Sequence, residues 1–254
     1  SPHWWRHSLV DLKGHTMDDS SQSSYSCCQT RERVLEVHRA IRYYLLRHGE
    51  TDFSKEGRYS GWDDAQLTEK GLWQHQQQVA TLADTPLSAI YTSDLHRCMQ
   101  LATDLAKSHD VPLDICRGLR ELDFGLLGGK TYAEALREHP EALTRWVEHP
   151  AENAPPSGET LQTFGDRLLE AMQEIELQVR EAPSDESTPI SVAIVTHGGP
   201  IRILLCHWLG IPVERQWQFR IDPGSLTIVE QYAEGAICCR VNHQPNPIYI
   251  QRPH

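Results

Sequence analysis

The stretch ISVAIVT, residues 190–196, constrains the fold more than any other part of this chain. It is rich in β-branched residues and bounded by turn residues, so it reads as a strand. It has almost no polar face, and a strand of that kind needs cover on both sides. Such strands belong to sheets layered between helices, mostly parallel ones. The run ends abruptly on His197-Gly198-Gly199. A second apolar run, IRYYLL from Ile41, has the same character and ends on Arg47-His48-Gly49.

The segments between these runs alternate in type. LSAIYTS and the short PLDICRGL read as further strands, and SLTIVEQYA with ICCRVNH as a closing pair. LTEKGLWQHQQQVATLAD reads as a helix capped by Thr68, with Leu72, Val79 and Leu82 expected on its inner face. SDLHRCMQLATDLAKSHD reads as another, capped by Ser93 or Asp94, with Leu95, Met99, Ala102 and Leu105 on one side. Two short helices broken near Pro140, a long amphipathic helix in GETLQTFGDRLLEAMQEIELQVREA and a helix in GPIRILLCHWLG complete the set. Strands alternating with helices predict an α/β three-layer sandwich, a mostly parallel central sheet with helices on both faces.

Residues 41–245 fit one such domain. Residues 1–40 are polar and serine-rich and are expected to be a disordered N-terminal extension, and residues 246–254 a C-terminal tail. The net charge of −11 argues against nucleic acid or an anionic membrane as a partner. It leaves open a small anion held in a local basic pocket. Seven cysteines without a CxxC spacing fit a reduced chain rather than a zinc ribbon or a disulfide framework. No apolar run reaches membrane-spanning length and the first residues lack a signal pattern, so a cytoplasmic protein is expected, as monomer or homodimer.

In open α/β sheets, ligands bind beyond the carboxyl ends of the strands. Arg47, His48 and His197 fall there, as does Arg97 on the first turn of the helix after YTSDL, and Glu121 follows the next strand. Two arginines and glycine-rich turns make an anion cradle suited to phosphate. A neutral imidazole can attack phosphorus and carry the phosphoryl group covalently. A carboxylic acid can protonate the departing alkoxide. With the cations supplied by side chains, neither metal nor cofactor is required.

The blocks LLRHGET, GWDDAQLTEKG, SDLHRCMQLA, RELDFG, PPSGETLQTF and VTHGGPIRILL, in that order, give the chain its resemblance to the histidine phosphatase (phosphoglycerate-mutase-like) superfamily. The resemblance covers about residues 41–245. It implies a phosphomonoesterase with His48 as the phosphorylated nucleophile, Arg47, Arg97 and His197 binding the phosphoryl group, and Glu121 as proton donor. It also implies substrate contacts from Ser54, Ser60, Gly61 and the backbone of Gly198. Ser54 stands where the family usually has asparagine, and Leu127-Gly128 where many phosphatases have Trp-Glu. Gly199 and the short middle region resemble the phosphatase branch, and the closing THGGPIRILLCHWLGIPVERQWQFRIDPGSLT resembles the α-ribazole phosphatases of cobalamin assembly. A phosphoglycerate mutase and a phosphate-ester-binding module without turnover are the alternatives, the second kept open by Ser54 and Gly128.

Overall fold

A computed structural model describes residues 39–182 and 189–245. The expected C-terminal tail and all but the last two residues of the expected N-terminal extension lie outside the described residues.

The strands are β1 (Ile41–Arg47), β2 (Ala89–Thr92), β3 (Leu113–Ile115), β4 (Ile190–Thr196), β5 (Leu226–Tyr232) and β6 (Gly235–His243). They form one sheet in the order β3-β2-β4-β1-β5-β6. The first four are mutually parallel, and β5 and β6 run antiparallel at one edge. Every residue of β4 is buried, as its composition demanded. The helices are α1 (Asp52–Glu56), α2 (Glu69–Leu82), α3 (His96–His109), α4 (Tyr132–Glu138), α5 (Pro140–Glu148), α6 (Leu161–Glu181) and α7 (Gly198–Trp208).

The period-2 alternation of β1 and β4 divides the core in two. Ile41, Tyr43, Leu45, Val192 and Ile194 pack with Leu143, Phe164, Leu168 and Leu204 from α5, α6 and α7. Tyr44, Leu46, Ala193 and Val195 pack with Leu82, Cys98, Leu101 and Leu105 from α2 and α3. The chain therefore leaves β1 toward one face and β4 toward the other. Those two strands are adjacent, with Arg47 paired to Thr196 in register. A crevice opens where the two connections diverge, and the residues that follow each strand, His48 and His197, share it.

Two helical faces differ from expectation. In α2 the buried positions are Gly71, Gln74, His75, Gln78 and Leu82, while Leu72 is exposed. The reason is that this face meets backbone at the end of β1, whose open N–H and C=O groups need polar partners. In α3 the buried face is Arg97, Cys98, Leu101, Ala102 and Leu105: Ala102 and Leu105 are buried as expected, while Leu95 and Met99 are only half-buried. Neither expected cap closes that helix in the usual way. Leu95 occupies the N-cap position without a side-chain cap bond, and Asp94 instead accepts from Arg117 and Arg120. Pro140 stands at the first turn of α5, where its missing N–H costs nothing, and so separates α4 from α5.

Candidate active site

His48 emerges from β1 into the crevice almost fully buried, at 3% exposure. Its N–H donates to Thr196 O at 3.1 Å, and its carbonyl accepts from Gly224 N–H at 2.9 Å. The ring Nδ1 lies 2.7 Å from Gly49 O. A carbonyl can only accept, so Nδ1 carries the proton and Nε2 keeps its lone pair. Arg97 Nε donates toward that lone pair at 3.3 Å. Burial holds the imidazole pKa well below the usual histidine value, and the charges of Arg97 and Arg47 push it the same way. His48 is therefore neutral at pH 7, and its Nε2 lone pair, which meets Arg97 Nε here, is the one able to attack.

Arg97 is buried and Arg47 half-buried, and neither has a carboxylate partner among the described residues. The Arg97 guanidinium, on the first turn of α3, is held by backbone carbonyls: Gly61 at 2.6 Å, Asp63 at 2.9 Å and Ser60 at 3.4 Å. The Arg47 Nη1 donates to Ile221 O, and its Nε is buried with no partner among the described residues. Burial lowers the Arg47 pKa to about 10, and it lowers that of Arg97 as well. Both remain cationic at neutral pH. Their desolvation is the state a bound phosphate dianion would relieve. The Arg47 guanidinium lies against Gly198, where a Cβ would stand 3.3 Å from it.

His197 faces His48 with ring centroids 5.1 Å apart and planes at 66°. Ser93, at the end of β2, meets its Nε2 at 2.8 Å, and the buried Cys98 thiol lies 3.5 Å from the same nitrogen. Burial again lowers the pKa, with Arg97 next in effect, so this imidazole is neutral too. Glu121 is anchored at the head of α7: Oε2 accepts from Gly199 N–H at 3.1 Å and Oε1 from Leu122 N–H at 3.0 Å. A side chain at position 199 would place its Cβ 2.0 Å from Oε1, so only glycine lets the carboxyl dock there. Trp62 braces the same residue from outside by donating from Nε1 to Glu121 O at 2.8 Å, under the Arg120 guanidinium.

A cleft of about 70 Å³ leads away from Glu121 and Gly199. Phe124, Trp146, Phe164 and Trp217 line it, with Arg202 and Gln216 as further polar groups. Phe124 and Trp146 meet edge to face at 5.7 Å. The Trp146 Nε1–H is buried with no partner among the described residues. Trp217 stands 67% exposed at the mouth, with Arg202 placed over its ring at 5.2 Å. Glu121 is the only carboxylate among the lining residues.

Comparison with known proteins identifies the family. The family model of the histidine phosphatase superfamily (branch 1) matches residues 43–244. The chain belongs to the histidine phosphatase superfamily. It is 27% identical over 202 residues to phosphoserine phosphatase 1 of Hydrogenobacter thermophilus, covering 80% of this chain and 92% of that protein. It is 28% identical over 190 residues to the adenosylcobalamin/alpha-ribazole phosphatase of Salmonella typhimurium, covering 75% and 90%. The solved alpha-ribazole phosphatase of Shigella flexneri superposes with a TM-score of 0.73 at 25% identity, covering 84% of this chain and 100% of that one. This histidine phosphatase is thus of the phosphomonoesterase class.

The remaining expected site residues divide in the histidine phosphatase frame. His48, His197, Arg47, Arg97, Glu121 and Gly198 gather at the crevice. Ser54 does not offer a free hydroxyl: its Oγ accepts from Thr51 N–H at 2.9 Å and donates to Thr51 O at 3.0 Å, in the capping box of α1. Ser60 and Gly61 act through their carbonyls, which hold Arg97. Leu127 is fully buried in the core. A side chain at Gly128 would meet the exposed Asp63 carboxylate, with Cβ 2.2 Å from Oδ2, so the Asp63 side chain would have to swing aside to admit the Trp-Glu pair of other phosphatases. Trp146, Arg202 and Trp217 were not singled out from sequence, and Ser93 was expected only as a helix cap. Ser93 alone carried a usable signal, since it stands at a strand end as the histidines do.

Proposed function

We propose that this chain hydrolyses a small-molecule phosphate monoester without a metal ion, through a phosphohistidine at His48. The supporting observation is the buried pair of neutral imidazoles flanked by two arginines that have no carboxylate partner among the described residues. Arg47, Arg97, His197 and the Gly198 N–H bind the phosphoryl oxygens and stabilise the charge that builds on them. The Nε2 lone pair of His48 forms the N–P bond as the ester P–O bond breaks, and Glu121 gives its proton to the departing oxygen. Glu121, now ionised, then takes a proton from water as that water attacks phosphorus. The N–P bond breaks, inorganic phosphate leaves, and the acid is restored.

The lining of the cleft favours a leaving group with a flat ring and acceptor atoms, the 5′-phosphate of α-ribazole being such an ester. Stacking on Phe124, Trp146 or Trp217 suits the ring, and the Trp146 N–H and Arg202 suit its acceptors. An amino-acid leaving group fits less well. Its ammonium would need a carboxylate, and the one in the cleft is Glu121, which the chemistry uses.

The test is hydrolysis of p-nitrophenyl phosphate and α-ribazole 5′-phosphate in EDTA, beside phosphoserine and 3-phosphoglycerate. Turnover in chelator, loss of turnover in His48→Ala and an acid-labile phosphoenzyme trapped on His48 are expected, with the ring-bearing esters preferred. Full activity in His48→Ala would sink the nucleophile assignment. Isomerisation of 3-phosphoglycerate in place of hydrolysis would point to a mutase.

A further inference from the structure

We propose that His75 is a positioning residue for the nucleophile, fixing the Gly49 peptide and through it the attacking pose of His48. His75 lies on the core face of α2, 3% exposed. Its Nε2 accepts the Gly49 N–H at 2.8 Å. The proton must then sit on Nδ1, which is buried with no partner among the described residues. An unsatisfied donor in a core is costly, and an apolar side chain would avoid it. The bond to Gly49 is what the histidine adds.

Gly49 is the residue that most needs holding. Its carbonyl fixes the His48 tautomer, yet glycine rotates more freely than any other residue. It cannot be replaced by a stiffer residue, because a Cβ there would stand 2.3 Å from Gly71 O. Hydrogen bonds must therefore do what a side chain would otherwise do. The peptide joining His48 to Gly49 is gripped at both ends, by Gly224 N–H on its oxygen at 2.9 Å and by His75 on its N–H. The next peptide bears the Gly49 oxygen that receives His48 Nδ1–H, and its N–H, on Glu50, donates to Gln74 Oε1 at 2.8 Å. Gln74 in turn donates to Pro223 O at 2.9 Å. Gln78, one turn on, donates to Arg47 O at 3.1 Å. The polar face of α2 thus clamps residues 47–50 as a unit. The His75 bond requires a neutral ring, and burial supplies one by lowering its pKa to about 4.

This inference rests on His48 being the nucleophile, and the experiment separates the two. His75→Leu and His75→Gln are compared with wild type on p-nitrophenyl phosphate, and histidine tautomers are read from two-bond nitrogen–proton spectra of the full chain. In His75→Leu, kcat falls roughly 10- to 100-fold from misorientation, while KM and inhibition by inorganic phosphate stay close to wild type. His48 loses its fixed Nδ1–H tautomer in the same variant. His75→Gln, whose amide oxygen replaces Nε2 as acceptor, restores most of kcat. In wild type, His75 is the Nδ1–H tautomer and does not titrate between about pH 5 and 8. Wild-type kcat in His75→Leu, or an Nε2-protonated His75 in wild type, overturns the proposal. So does a loss of activity that merely tracks a loss of folded protein. No ester hydrolysis by wild type would defeat the function instead, and the tautomer spectra would still decide the role of His75.

Discussion

At the scale of single residues, the crevice works by leaving charged and polar groups desolvated. Arg47 and Arg97 are held by carbonyls rather than carboxylates, so their positive charge is unspent until an anion arrives. Ser54 is different in kind. Its hydroxyl and N–H close the capping box of α1 with Thr51, so removing the hydroxyl touches the helix end and not the phosphate. Ser54→Ala is expected to leave KM for p-nitrophenyl phosphate unchanged and to lower unfolding stability by about 1 kcal/mol, the usual worth of a helix cap. Steady-state kinetics beside urea unfolding measures both. A several-fold rise in KM with unchanged stability would return Ser54 to the phosphate site. The family resemblance brought Ser54 forward because position in a motif was legible, whereas the direction of a hydroxyl was not.

At the scale of elements, α7 joins the chemistry to the fold, since its first turn carries Gly198 against Arg47 and Gly199 against Glu121. Gly199→Ala would drive a methyl group into the Glu121 carboxyl and so displace the proposed proton donor. The expected loss is roughly 100-fold in kcat on alkyl phosphates, which need a proton on the departing oxygen. It is much smaller on p-nitrophenyl phosphate, whose phenolate leaves unaided. Glu121→Gln should give the same contrast, and an equal loss on both esters would mean that the helix end itself had been damaged. The elements were largely readable in the sequence. β1 and β4 announced themselves by apolar runs cut off at His-Gly, and their adjacency put both histidines together. The inner faces of α2 and α3 were read only in part: Val79, Leu82, Ala102 and Leu105 pack inward as expected, but the polar members of each face were missed, and for one reason. Apolar periodicity locates the side that packs on side chains, but part of each inner face also meets the backbone and polar ends of strands. There Gln74, His75, Gln78 and Arg97 are the residues that fit. The wall of the cleft was equally hidden, because Trp146 and Trp217 reach it from segments far apart in the chain.

At the scale of the whole molecule, assembling this crevice makes folding sensitive to acid. His48, His75 and His197 are all buried as neutral rings, with pKa values depressed chiefly by desolvation. In the unfolded chain each would take up a proton near pH 6.5. Between about pH 6.5 and 4 the unfolded state therefore binds more protons than the native state, and stability must fall as pH falls. The contribution is fully present above about pH 6.5 and is lost progressively toward acid. With a native pKa of about 4, His75 alone accounts for roughly 3 kcal/mol of that loss at pH 4, at 1.36 kcal/mol per pKa unit. Urea unfolding at a series of pH values should show stability declining through this window, and His75→Leu should decline less steeply because one proton-linked site is gone. Equal slopes for the two proteins would mean that His75 is protonated in the native state. The same desolvation that keeps the His48 ring neutral at neutral pH thus makes the fold sensitive to acid.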